Sequence, residues 1–395
     1  MNEFVAPTTP PATVSRVAFL GRRPDFCRLV IRGALLELVT VGFYRFWLAT
    51  DMRRHLWSNT AVDGDTAEYT GTAKELLIGF LFALAIMVPI YLAYFFIGLE
   101  AERLKAFASI PLVLFYYLFA QFAIYRARRY RLSRTVWRGV RFWMTGSGLS
   151  YAWRAALWSL LAMISLGIAM PWRAAALERF KMRHSFYGEL RGRFDGTGGE
   201  FFKRGWWLWL LALLVIIVMS AAAASPATVF FAPLAPFAFP FLYAAYKAIE
   251  WRWWILGIRF GEVHFESDLP VGALIGLYWK LIGWIVLLIL ILVLWMAIVG
   301  GVVYAINGAP IADGQEIARI MQQAPVLVAL GFGYVVVALV IGLLVRIYLM
   351  RDLWARVAAS TTVQNLAAAE NVAAMGTLTS ALGEGFADSL DIGGF

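Results

Sequence analysis

The chain holds three histidines, His55, His184 and His264, and no two of them share a helical turn, so a paired-histidine metal site is not expected. General acid–base catalysis calls for partnered carboxylates. The one acidic run, Asp51, Asp63, Asp65 and Glu68, sits beside Arg53 and Arg54 and reads as a solvated loop with local ion pairs. No phosphate-cradling GxxxxGKS/T, no HExxH and no GxSxG occurs. The single cysteine, Cys27, excludes an internal disulfide and a cysteine-based metal centre. No catalytic residue, metal or cofactor is assigned, and enzymatic activity is not expected.

What remains is charge placed where charge is expensive. Arg28, Arg32, Glu37, Gln121, Arg154, Lys280 and Arg346 fall within or beside apolar segments. A lipid-facing arginine near the centre of a span costs about 2.5–3.5 kcal/mol, so such residues usually have a reason. Lys280 and Arg346 lie near helix ends and can snorkel. Arg32 and Glu37, five residues apart, are the candidates for an embedded polar site, paired across a helix face or with another segment. A second group is the run 126–141, RARRYRLSRTVWRGVR, with Arg126, Arg128, Arg129, Arg131, Arg134, Arg138 and Arg141 and no acid. It reads either as a retained cytoplasmic loop or as a seat for anionic lipid headgroups, each surface cation adding about 1 kcal/mol of attraction. A net charge of +10 fits cytoplasmic loops of a membrane protein better than nucleic-acid binding, for which no reading module surrounds the basic runs.

The elements that must position these residues are mostly apolar. Hydrophobic residues make up 61% of 395, charged ones 15%, and the mean hydropathy is +0.70, a balance a soluble domain of this size could not cover with polar surface. Six windows approach or exceed the roughly 20 residues of a spanning helix: 76–98, 106–125, 206–224, 227–246, 281–305 and 325–349. The tryptophans at 206, 207 and 209, and at 251, 253 and 254, suit membrane–water boundaries.

A shift of 125 residues lays 16–75 over 141–200 without a gap. Arg16, Gly21, Gly42, Trp47, Arg54, Gly71, Thr72 and Glu75 fall on Arg141, Gly146, Gly167, Trp172, Arg179, Gly196, Thr197 and Glu200. Each copy opens on a polar-aromatic stretch and continues through an apolar and then a basic amphipathic helix. It closes on a glycine turn, EYTGT or RFDGT, whose flanking Tyr69 and Phe194 suit short strands. A third, weaker version starts at ILGIRFGEVHF, 255–265, and resumes near Gly342, Arg346, Arg351 and Trp354. If the apolar part of each copy crossed the bilayer, the basic loops at 126–141 and 173–204 would lie on opposite sides, against the positive-inside rule. Segments 26–47 and 151–171 are therefore expected to be embedded without crossing, as re-entrant or interfacial elements.

The expected fold is an all-α polytopic membrane protein with internal repeats, about six spanning helices, two embedded segments and short cytoplasmic strand or turn elements. Its organisation reads as a disordered lead 1–15, repeats with spanning hairpins at 16–125, 126–246 and 247–357, and an Ala-rich acidic tail 358–395. The AASTT and NLAAAENVAAM stretch of the tail reads as a weak helix, and the acidic end reads either as folded back on the basic loops or as solvated chain.

TVGFYRFW, RRHLWSNT, YTGTAKEL, RYRLSRTVWRGVRF, SLGIAMPW and the closing ALGEGFADSLD resemble the YjgN-like family of bacterial inner-membrane proteins, from about Phe19 onward. Where that family carries a further Thr-Leu-Gly and Pro-Trp, this chain has LVIGLLVRIYLMRDLW. The resemblance implies a multi-pass protein of the bacterial cytoplasmic membrane with cytoplasmic termini, and it supplies no site residues. The bilayer is the expected partner, with anionic headgroups as candidate ligands and no nucleic acid; the oligomeric state is not set by the sequence. Two functions stay open, a transport or channel-like protein and a non-catalytic scaffold that organises anionic lipid.

Overall fold

A computed structural model describes residues 14–100, 102–224, 235–307 and 323–380; the motif ALGEGFADSLD, most of the lead 1–15 and the first part of window 227–246 lie outside the described residues. Ten short strands form a closed antiparallel barrel, which overturns the all-α expectation. They are β1 (Val14–Phe19), β2 (Thr60–Val62), β3 (Asp65–Tyr69), β4 (Thr135–Trp137), β5 (Val140–Met144), β6 (Ser185–Tyr187), β7 (Leu190–Phe194), β8 (Ile258–Phe260), β9 (Val263–Ser267) and β10 (Thr361–Gln364). Neighbours pair in chain order, and β10 closes the barrel against β1.

Two helices separate each odd strand from the next even one, except in the fifth unit, where the return is interrupted. They are α1 (Arg23–Val39) and α2 (Arg45–Ser58), α3 (Ala73–Glu100) and α4 (Glu102–Ser133), α5 (Gly148–Ile164) and α6 (Met170–Arg183), then α7 (Gly198–Ala224) and α8 (Ala235–Gly257). The fifth unit is α9 (Val271–Asn307), α10 (Ala324–Val345), a π-helical segment (Arg346–Asp352) and α11 (Leu353–Ala359). Every helical excursion thus starts and ends on the same barrel. Elements α1, α2, β2 and β3 recur 125 residues later as α5, α6, β6 and β7 with the same lengths.

Among the described residues four helical stretches are long and apolar enough to cross a membrane: Ala73–Phe96, Gly198–Ala222, Val271–Ile306 and Ala324–Ala359. The α9 helix is about 55 Å long at 1.5 Å per residue, whereas a hydrocarbon core is about 30 Å thick. Its packing reflects this excess. Leu274, Leu277, Tyr278 and Leu281, nearest the barrel, are buried against Ala244, Ala248, Tyr348 and Leu353, while Leu290, Val293, Leu294 and Ile298 farther out are exposed.

The local signals for the barrel repeat from hairpin to hairpin. Tight turns at Asp63-Gly64, Arg138-Gly139, Gly188 and Gly261 carry positive φ, which suits two-residue hairpin connections. Register places Val17 opposite Val62, Ala67 opposite Trp137, Phe142 opposite Tyr187, Gly192 opposite Phe260 and Phe265 opposite Val363. Apart from Gly192, these residues share one apolar cluster that fills the barrel, joined by Val140, Leu190 and Val263. Leu366, Ala369 and Val372 complete that cluster, so after β10 the chain makes only a short 3-10 turn, Leu366–Ala369, and packs into the barrel through Val372, while Met375 and Leu378 beyond it are exposed.

Each helix-to-strand junction but one has a hydroxyl that closes the helix end. Thr60, Thr135, Ser185 and Thr361 donate to the carbonyls of Leu56, Arg131, Lys181 and Val357, each four residues back, at 2.7–2.9 Å; at β8 the position is Ile258. Thr60 and Thr135 also accept the indole N–H groups of Trp354 and Trp57, at 2.8 and 3.0 Å, and those two rings stack at 5.2 Å. Thr135→Val leaves the Trp57 indole N–H without its partner and removes one of two donors to the Arg131 carbonyl, which costs about 2 kcal/mol. The expected result is a lower Tm in detergent for Thr135→Val and near wild-type behaviour for Thr135→Ser, read by tryptophan fluorescence.

Candidate functional site

The helices that run into the even strands converge at the barrel rim, and their contacts there are largely polar. Glu178 of α6 is central. It accepts from Arg128 of α4 at 3.2 Å and from the Trp254 indole of α8 at 3.0 Å, and it pairs with Lys181 one turn on. Arg128 also reaches the Met182 sulfur at 3.3 Å and lies over the Trp254 ring. Burial by itself would raise the Glu178 carboxyl, but Lys181, Arg128 and the indole hydrogen bond outweigh it and hold the group at about 2. Lys181 shifts down, because burial and the Arg128 charge oppose its proton more than Glu178 supports it. Two cations against one anion leave this part of the rim positive.

A second polar cluster ties α3 to α4. Arg134 makes a two-pronged bond to Glu75, at 3.0 and 2.9 Å, and Tyr130 donates to the same carboxylate at 2.6 Å. Glu75 belongs to a repeated helix start: Thr72 and Thr197 accept the backbone N–H of Glu75 and Glu200, the Thr-x-x-Glu arrangement of a capping box.

A third cluster closes the ring between the first and last units. Arg23 pairs with Asp352 at 3.1 Å, Arg351 with Asp352 at 2.8 Å, and Arg351 donates to the Gly21 carbonyl at 2.6 Å. Farther from the barrel, Arg346 binds Glu37 at 2.8 Å. The π-helical turn that carries Arg346, Arg351 and Asp352 adds a residue to the helical repeat. Insertions of this kind recur at functional sites.

The residues singled out in the sequence therefore separate. Glu37 pairs with Arg346, 309 residues away, and not with Arg32; Arg346 is a partner and not only a snorkelling side chain. Arg32 lines an open groove along α1 with Arg28, Ile31 and Leu35. In the basic run, Arg128 and Arg134 hold carboxylates as described. Arg138 bridges Asp63 and Asp65 on the neighbouring hairpin at 3.2 and 2.5 Å, and Arg141 donates to the Ser133 carbonyl at 2.6 Å. Arg131 contacts the Ala127 carbonyl at 3.4 Å, and Arg126 lies over the Phe122 ring at 5.2 Å. Arg129 sits with its Nε buried in the same rim. Much of the run is thus engaged in holding the barrel to its helices.

Sequence reasoning missed Glu178, Lys181 and Trp254. A signal existed: Glu178 is the only acid within 173–183, three residues before Lys181. Its partners on α4 and α8 could not be known without the fold. Among the described residues no three His, Cys, Asp or Glu side chains gather as a metal site.

Neither curated proteins nor solved structures show a match to the chain. A family model described as bacterial protein of unknown function, DUF898, matches residues 14–389. The chain belongs to this family of YjgN-like bacterial proteins.

Proposed function

We propose that the protein is an integral protein of the bacterial cytoplasmic membrane that passes small anionic solutes along its barrel, here in a closed state. The observation that carries this reading is the closed barrel with its rim ringed by helix ends, next to which stand four stretches able to cross a bilayer. A surplus of cations at the Glu178 cluster favours anions there. The barrel interior is filled, which accounts for closure. The arginines concentrate at the barrel ends of α4 and α6 and in the β4–β5 and β6–β7 hairpins that follow them, the arrangement that cytoplasmic placement of the barrel would give. The matched lengths 125 residues apart support an internal duplication of the short excursion and the hairpin that follows it.

The test is efflux of chloride, inorganic phosphate and succinate from sealed vesicles carrying the purified protein. At least one anion should leave at least tenfold faster than from protein-free vesicles under an imposed potential. Rates equal to protein-free vesicles for all three would sink the transport reading.

A second reading, a scaffold that holds anionic lipid, is favoured by an apolar groove of about 370 Å³ between the α5–α6 tip and α7–α8, lined by Gly167, Ile168, Trp209, Phe239 and Tyr243. Lys247 stands one turn from Tyr243, with its ammonium 5.9 Å from that ring and paired with Glu250 at 2.6 Å, a carboxylate that a headgroup would have to displace. Retention of anionic lipid through purification, lost in Lys247→Gln, would support it.

A further inference from the structure

Eight strands enclose an interior that their own side chains can fill, so ten leave additional room. Here that room is taken by the chain's own C-terminal segment. After β10, Asn365 turns the chain with a left-handed φ of +57°, and Leu366 and Ala369 enter the cluster of Trp137, Tyr187 and Val263. The segment then crosses the β6–β7 turn, where the absent side chain of Gly188 makes space for the Ala373 carbonyl and the Ala373 N–H donates to Glu189 at 3.3 Å. Gly376 lies on the Trp143 ring, and Thr379 meets the rim, its hydroxyl 2.7 Å from that of Ser133 and its carbonyl 3.2 Å from Arg134.

We infer that residues 365–380 are a displaceable stopper that closes the barrel from within and is latched at the rim. Three features separate it from an ordinary piece of core. Beyond β10 the segment pairs with no strand, so its backbone can leave without breaking a ladder. Its largest apolar side chains after the plug, Met375 and Leu378, are 52% and 58% exposed and do not anchor it. Its far contact is with Arg134, which is bound to Glu75 at the start of α3, so a shift of the α3–α4 hairpin acts directly on the latch. The inference concerns closure of the barrel named in the proposed function, and it is tested without any transported solute.

The experiment uses single cysteines in a Cys27→Ser chain in detergent, with the reaction rate toward a water-soluble maleimide as readout. Ala369→Cys reports the stopper, Val263→Cys the barrel wall and Ala155→Cys, fully buried in α5, the folded state. Ala369→Cys should react at least tenfold faster than Ala155→Cys in the full-length chain. Ending the chain after Asn365 should raise the rate at Val263→Cys at least tenfold and leave Ala155→Cys unchanged. Equal protection of Ala369→Cys and Ala155→Cys overturns the stopper, as does an unmoved Val263→Cys rate in a truncated chain that still protects Ala155→Cys. Where truncation exposes Ala155→Cys, the chain has unfolded and the full-length comparison decides. Anion efflux is a separate measurement, so failure of transport and failure of the stopper are told apart.

Discussion

Glu178→Gln is expected to destabilise the folded protein by about 3 kcal/mol, because breaking a mostly buried ion pair leaves its cations uncompensated. Glu178 and Lys181 are 15% and 13% exposed, and the carboxylate holds groups from α4, α6 and α8 together. Glutamine keeps the shape but places Arg128 and Lys181 against each other, with only the more distant Glu250 left to oppose Lys181. The pH dependence identifies the cause. The folded-state pKa of about 2 lies below the ordinary 4.5, so the unfolded chain takes up this proton first. The stabilisation is complete above about 4.5 and is lost as pH falls from there toward about 2. Melting curves of the wild type should drop across this window more steeply than those of Glu178→Gln. Glu178→Leu combined with Lys181→Met should recover part of the loss, since it leaves one uncompensated cation, Arg128, where Glu178→Gln leaves two. Parallel acid limbs in wild type and Glu178→Gln would show that this carboxyl carries no such role.

Gly192→Val should prevent the barrel from closing. A Cβ at Gly192 would stand 2.7 Å from the Met182 carbonyl oxygen and 2.9 Å from that of Ser185. Both are backbone atoms, at the end of α6 and the start of β6, so no rotamer change relieves the overlap. Even Gly192→Ala is expected to cost about 2–3 kcal/mol, in the range of core overpacking, and valine more. Gly283→Ala is the matched control, since an added Cβ there meets nothing within 4 Å. Size-exclusion profiles and limited proteolysis should show a compact, resistant species for wild type and Gly283→Ala, and an expanded, cleavable one for Gly192→Val. A resistant Gly192→Val chain with a wild-type melting temperature would mean that α6 does not sit over β7 as described.

Several residues aligned by the 125-residue shift occupy matched roles. Gly42 and Gly167 both take φ near +88° after a left-handed residue, Val41 or Leu166, and so turn each short helical hairpin. Arg54 and Arg179 both reach the carbonyl of an aligned glycine, Gly71 or Gly196. The Thr72 and Glu75 match with Thr197 and Glu200 is a helix start. These signals are local, which is why one chain displays them. The barrel was not legible, although VAFLG, Tyr69, Phe194 and IRFGEVHF all carried strand character. Strands of three to six residues are too short for alternation to stand out, and long apolar helices separate the hairpins. Closure depends on β10, in a stretch whose alanines read as helix, pairing with β1 near the other end of the chain. The same distance hid the site: Glu37 and Arg346 meet only because the first and last units are neighbours, and Glu178 gains Arg128 and Trp254 only once α4, α6 and α8 share a rim.

The central claim is that every helical excursion leaves one barrel and returns to it, so that all the strand turns lie on one side of the membrane. Single cysteines at Asp63, Arg138, Glu189 and Glu262, in the Cys27→Ser chain, place a probe at each of the four hairpin turns between consecutive strands. Labelling intact cells and inverted vesicles with an impermeant maleimide reads the side directly. All four should label from the same face, and from the cytoplasmic one. Labelling of Asp63 and Glu189 from opposite faces, or of any two of the four, would contradict the barrel.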